Sequence, residues 1–180
     1  ADKNSTLTIS HALWQVPTTN RRTAHPGTVS VAITTFNRPS YCLNQLRTIA
    51  HEEELRKHLD TIYCTDQGTD LVQEQDGFDE VSKDLGKQLT YIRQGNLGGS
   101  GGFSRGMYET VRAQKSDYTL LLDDDAISEP ESILRAVQFA DYTVRPSLIG
   151  GGMFHIDHRT VLHVQGERFD PSSMWMYPSR

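Results

Sequence analysis

Tyr118-Thr119-Leu120-Leu121-Leu122-Asp123-Asp124-Asp125 is the stretch on which the fold turns. Five strand-forming residues run without a break into three carboxylates. An apolar run this short, bounded by charge, reads as a strand buried on both faces, the most buried of the chain. A helix is expected next. Pro130 suits a first helical turn, and Ser128 and Glu131 stand at capping-box spacing. Ile133, Leu134, Val137 and Ala140 then return on one side at helical intervals. Strand, acidic turn and helix together make one unit of α/β architecture.

The same unit recurs upstream. Val29–Thr35 is β-branched and apolar, a buried strand, and Pro39 opens a helix striped by Cys42, Leu43, Leu46, Ile49 and Ala50. The charged segment Glu52–His58 extends or follows it. Thr61–Thr65 is a second strand ending in the turn Asp66-Gln67-Gly68-Thr69. Phe78, Val81 and Leu85 mark a short helix closed by Gly86, and Leu89–Ile92 is a third strand. The glycine-rich run Asn96–Gly102 leads into a helix with Phe103, Met107 and Val111 on one face. Beyond the triplet, Leu148–Phe154 and Val161–Phe169 read as two more strands. Four strand–helix alternations predict a mostly parallel sheet with helices on both faces.

Residues 1–27 stand apart. Leu7, Ile9 and His11 alternate with Thr8 and Ser10, and the stretch from Pro17 to Gly27 reads as a polar connector. It is either the end of a preceding β-rich domain with its linker or a leader without structure. The α/β unit is expected over 28–180.

The 180 residues suit one α/β domain with a good-sized core. A net charge of −5 argues against nucleic acid as a partner. Two cysteines give no disulfide framework, and neither a signal peptide nor a membrane span is legible. The expected location is cytoplasmic, including peripheral contact with the inner face of a plasma membrane.

In open parallel sheets, ligands bind beyond the carboxyl ends of the strands. Asn37-Arg38, Asp66, Asn96–Gly102 and the triplet all follow strands. Three adjacent carboxylates behind an apolar strand repel one another and call for a cation, and hard oxygen donors suit Mg²⁺ or Mn²⁺. The plain alternative is a solvated acidic turn at a helix start. The glycines at 98, 99, 101 and 102 would let backbone approach a phosphate. The run is neither a dinucleotide fingerprint, whose spacing fails at Ser104, nor a P-loop. Arg38 and Arg105 could pair with phosphates or form ordinary surface salt bridges. Asp66 could accept from a base or ribose, or make an Asx turn. Trp175 and Tyr177 could stack on a sugar or pack in a core. His155, His158 and His163 lack a zinc spacing.

Taken in order, Thr34-Thr35-Phe36-Asn37-Arg38-Pro39, Asp66-Gln67-Gly68-Thr69, Asn96-Leu97-Gly98-Gly99-Ser100-Gly101-Gly102 and Asp123-Asp124-Asp125 resemble the family 2 glycosyltransferases. With Gly151-Gly152 and Leu162-His163-x-x-Gly166-Glu167, the series resembles the UDP-galactofuranosyltransferases of actinobacterial cell-wall galactan over residues 28 to 177. The resemblance implies a GT-A fold and transfer from UDP-galactofuranose to a growing, lipid-linked galactan with inversion. It also implies a homo-oligomer in the full-length protein. The nucleotide sugar would meet Thr35, Asn37, Arg38, Asp66 (through uracil), Asn96, Gly98, Gly99, Gly101, Gly102, Arg105, Asp123 and Asp124. Asp123 and Asp125 would hold Mn²⁺ or Mg²⁺, and Trp175 would touch sugar. That family's acceptor-activating Asp and metal-binding His come later than Arg180, so the domain is expected to be cut short and inactive alone, with Glu167 or Asp170 the fallback base.

Two other enzyme classes share features. A haloacid-dehalogenase-type phosphohydrolase also places Asp-x-Asp after an apolar strand, but on its first strand and followed by Thr or Val where Ile127 stands. A sugar-nucleotide pyrophosphorylase would need a basic glycine loop after the first strand. A sugar-binding module without catalysis would need neither nucleotide nor metal.

Overall fold

The computed structural model describes residues 6, 8, 10–13 and 15–178. Leu7 and Ile9, which carry the strand signal near the start, lie outside the described residues. Thr18–Asn20 forms a 3-10 turn. The α/β unit then runs β1 (Val29–Thr35), α1 (Pro39–Ala50), α2 (Glu53–His58), β2 (Leu59–Asp66), α3 (Phe78–Leu85), β3 (Leu89–Arg93), α4 (Gly98–Ala113), β4 (Tyr118–Asp123) and α5 (Pro130–Asp141). The four strands form one parallel sheet in the order β3-β2-β1-β4. Two short antiparallel pairs follow, β5 (Met153–Phe154) with β6 (Leu162–Val164) and β7 (Glu167–Asp170) with β8 (Trp175–Pro178).

The main core lies on the face covered by α1. Val31, Ile33, Ile62 and Cys64 of the sheet meet Cys42, Leu46 and Ile49 of α1, Val81 and Leu85 of α3, and Ile133 of α5. The α1 stripe read from the sequence is the buried stripe observed. Asp141, buried at the end of α5, accepts from the Gly27 amide at 2.9 Å and the Tyr118 hydroxyl at 2.8 Å. That carboxylate ties the entry into β1 to the start of β4.

The other face is covered by α4, and here the expectation fails. The predicted face of Phe103, Met107 and Val111 is not the buried one: Met107 and Val111 are exposed, and Gly102, Gly106, Glu109 and Thr110 are buried. A Cβ at Gly106 would overlap Ala32 Cβ and stand 3.2 Å from Ala32 Cα, so the helix backbone rests directly on β1. Small residues rather than large ones make the contact.

Three further expectations change. β4 is an edge strand with alternating exposure, and Leu121 is 44% exposed; an apolar run shows what a strand can bury, not what is present to cover it. The strands expected over 148–154 and 161–169 shrink to the short pairs β5–β6 and β7–β8, with Leu148, Met153 and Phe169 exposed. The capping box does not form. Glu129 precedes the helix, Glu131 bonds Arg135, and Ser128 Oγ accepts from Gln45 instead.

Candidate nucleotide and metal site

The chain leaves β1 toward β2 and β3, then returns to add β4 on the other side of β1. Connections therefore diverge between β1 and β4, and such a switch point opens a crevice at the strand ends. Register places the groups around it. Thr34 is level with Asp123 across one border of β1, Thr35 with Asp66 across the other, and Asp66 with Arg93 on β3. The strand-end residues singled out in the sequence thus share one edge of the sheet.

Across the crevice Arg38 forms an ion pair with Asp125. Asp124 is half-buried, and burial pushes its carboxyl above the usual range, with Asp125 and Asp123 adding to the shift. Thr35 lies beside it and opposes the rise. Buried Thr35 Oγ1 makes no well-formed hydrogen bond among the described residues. Gln45, buried in the α1 stripe, donates to Asp123 O at 3.3 Å and to Ser128 Oγ at 2.9 Å, fixing the acidic turn to α1. A polar residue within an apolar helical stripe was the signal for Gln45, and the sequence reading passed over it.

The Asp66 turn is built around its carboxylate, which is fully buried. Oδ1 accepts from Gly68 N at 2.9 Å and Arg93 Nη1 at 3.0 Å; Oδ2 accepts from Val72 N at 2.9 Å and the Tyr91 hydroxyl at 2.5 Å. The bond to Gly68 is the Asx turn. Burial, then the bond to Asp66, drives the Tyr91 phenol above its ordinary range. Asn37, in the left-handed region at φ 54°, accepts through Oδ1 from the amides of Thr69 and Asp70 at 2.7 and 3.0 Å. Neither Tyr91 nor Arg93 was singled out in the sequence, although Arg93 ends a strand at the same edge.

Gln67 joins this turn to the glycine run. Its Nε2 donates to Thr34 Oγ1 and Gly98 O, and its Oε1 accepts from Gln94 Nε2 and Leu97 N. The glycines themselves are the first turn of α4 rather than a loop before it. Their roles divide. A Cβ at Gly98 or Gly99 would meet nothing, so a ligand can approach there. At Gly102 it would stand 2.6 Å from Thr34 Cβ, so that glycine serves packing. Asn96 Oδ1 accepts from Gly98 N at 2.9 Å, and the first-turn amides of Gly99 and Ser100 have no acceptor within the helix. Arg105 is engaged by Glu109 at 2.9 Å, one turn on.

Trp175 sits 67% exposed in β8, and no hydrogen bond or ion pair among the described residues ties its hairpin to the strand ends. Also among the described residues, no three His, Cys, Asp or Glu side chains converge as a ready-made metal site. The donor set still fits a hard cation. Mg²⁺-type sites use one or two carboxylates and complete their shell with water and substrate phosphate. Asp123 and Asp125 would supply two carboxylates, and the buried Thr35 hydroxyl, which makes no hydrogen bond among the described residues, leaves hydrogen bonding incomplete beside them.

Residues 25–175 match the family described as glycosyltransferase like family 2. The chain is 36% identical over 173 residues to galactofuranosyltransferase GlfT2 of Mycolicibacterium smegmatis, covering 96% of this chain and 26% of the relative. It is 38% identical over 153 residues to GlfT2 of Mycobacterium tuberculosis, covering 83% and 24%. It therefore spans about a quarter of the length of the curated relatives it matches. Among solved structures, a mannosyltransferase of Pyrobaculum calidifontis in complex with GDP-Man and Mn²⁺ aligns with TM-score 0.49 at 17% identity, over 73% of this chain and 37% of that one. Staphylococcus aureus TarS aligns at 0.42 and 18%, over 71% and 39%. With a family match over most of its residues, the chain belongs to the glycosyltransferase-like family 2.

Proposed function

We propose that this chain is the donor-binding part of an inverting galactofuranosyltransferase that takes galactofuranose from UDP-galactofuranose and passes it to a growing, lipid-linked cell-wall galactan. The observation that carries the reading is the acidic triplet at the β1/β4 switch point, where Arg38 pairs with Asp125 and Gln67 ties the open glycine start of α4 to Thr34, level with Asp123. The galactofuranosyl specificity rests on the two GlfT2 relatives. Membership of a glycosyltransferase family sets the phosphohydrolase reading aside.

In this proposal Asp123 and Asp125 hold Mn²⁺ or Mg²⁺, which when bound supplies Lewis-acid neutralisation of the diphosphate leaving group. Arg38 leaves Asp125 and turns to the phosphates. The free amides of Gly99 and Ser100 take further phosphate oxygens at the α4 N-terminus. The donor's anomeric carbon then faces an acceptor hydroxyl on the side opposite UDP, which gives inversion. The acceptor hydroxyl needs a base to take its proton. Asp170 is a poor candidate, since bonds from the Ser172 hydroxyl and amide hold its carboxyl below the usual range. No helix among the described residues is long and apolar enough to cross a membrane. Work at the inner face of the plasma membrane, with peripheral contact and assembly of the whole protein into a homo-oligomer, belongs to the same proposal.

The test is calorimetry with UDP. Binding in Mn²⁺ is expected to weaken at least about tenfold in excess chelator, because contacts to charged groups carry about 1.5–3 kcal/mol. Equal affinity with and without metal would overturn the metal assignment, and no UDP binding at all would overturn the function. A second expectation concerns Arg38, which competes with metal for Asp125. Arg38→Ala should tighten Mn²⁺ binding to the free chain about two- to fivefold, the modest scale of a half-exposed pair, while weakening UDP binding in Mn²⁺. Weaker Mn²⁺ binding in the variant would contradict it.

A further inference from the structure

We propose that Asp66 is a positioning residue, holding the turn that borders the nucleotide crevice without itself touching the nucleotide. The inference rests on the nucleotide-diphosphate reading above and departs from the uracil-contact role that the sequence resemblance implied for this residue.

A carboxylate has about four lone-pair directions to offer. All four at Asp66 are met by protein donors between 2.5 and 3.0 Å. The side chain is fully buried, so no face is left for a ligand. Its donors come from two separate places: the turn itself (Gly68 and Val72 amides), and Tyr91 and Arg93 on the neighbouring strand β3. Arg93 also bonds the Asp66 carbonyl at 3.1 Å. For Asp66 to accept a proton donor from a base, one of these bonds would have to break inside the protein, and a buried donor left unpaired is costly.

What Asp66 organises does face the crevice. The turn carries Gln67, which clamps Leu97 and Gly98 at the start of the glycine helix. The same turn presents the Thr69 and Asp70 amides that hold Asn37 beside Arg38. One buried carboxylate therefore sets the spacing between the β1 exit, where Arg38 sits, and the phosphate-facing glycines.

The experiment follows the Gly68 and Val72 amides by hydrogen exchange in the full chain, with Mn²⁺ present, before and after UDP. In a positioning role both amides are protected in the free protein and stay at least as protected with UDP bound. Tyr91→Phe removes one donor from the carboxylate. It should loosen both amides and weaken UDP about three- to tenfold, the scale of one ordinary hydrogen bond, at a temperature where circular dichroism shows it folded. Asp66→Asn, if it folds, should weaken UDP at least as much. Deprotection of either amide on adding UDP would overturn the proposal, because it would mean that the carboxylate has exchanged a protein donor for the base. Unchanged UDP affinity in folded Tyr91→Phe would overturn it too, leaving Asp66 a purely structural residue. Failure of the unaltered chain to bind UDP at all would instead overturn the nucleotide reading on which the proposal stands.

Discussion

Asp66→Ala is expected to destabilise the domain by about 3–5 kcal/mol, the cost of removing one partner from a buried charge pair. The substitution leaves two backbone amides and the Tyr91 hydroxyl without acceptors where no solvent reaches the carboxylate they served. Arg93, 41% exposed on its side chain, recovers part of its loss through water. The remaining donors do not, and each carries about 1–3 kcal/mol when unsatisfied, less whatever local relaxation restores. Against a total stability of about 5–15 kcal/mol for a domain, this is a large share. Urea titration of both proteins measures it, and a loss below about 1 kcal/mol would show that the turn is not held by this carboxylate.

The four parallel strands were legible because each is a short β-branched or leucine run closed by a polar turn, and Val29–Thr35 and Tyr118–Leu122 fall within a residue of the observed limits. The stripe of α1 was legible for the same reason: large apolar side chains at helical spacing had one sheet face to fill. For α4 the rule misled. Phe103, Met107 and Val111 carry the hydrophobic pattern, but contact depends on how closely a helix must approach, and beside Ala32 and Thr34 only glycine-sized residues fit. Pattern reports what could be buried; the sheet's own side chains decide what is. The candidate site divided similarly. Residue types that offer charge or flexibility at strand ends were visible as Arg38, Asp66, the glycines and the triplet. What each is bonded to was not, since the partners Tyr91, Arg93 and Gln45 lie 25 to 78 residues away and meet these groups only through the sheet. Ser128 and Glu131 show the converse: their spacing alone suggested a capping box, but a buried glutamine from another helix claimed the serine.

The α4 contact gives the second large effect. Gly106→Val should cost about 3 kcal/mol, at the upper end of overpacking penalties. The new side chain would enter space already held by Ala32, whose Cα would lie 3.2 Å from the added Cβ, and a backbone atom in a central strand cannot turn aside. Relief requires α4 to lift from β1, and Gly102, seated on Thr34 one turn earlier, would lift with it. The gain in helix propensity over glycine offsets only a fraction of a kilocalorie for a β-branched residue. Because Gly98 and Gly99 begin the same helix, the displacement should also reach the crevice and weaken UDP binding in Mn²⁺ beyond what stability alone explains. Val111→Ala is the matching control: 71% exposed on the opposite face, it should change stability by no more than about 0.5 kcal/mol. Thermal or urea unfolding of the two variants separates the faces. A larger loss for Val111→Ala than for Gly106→Val would restore the apolar side as the packed one, and with it a rotated helix whose glycines no longer face the strand ends.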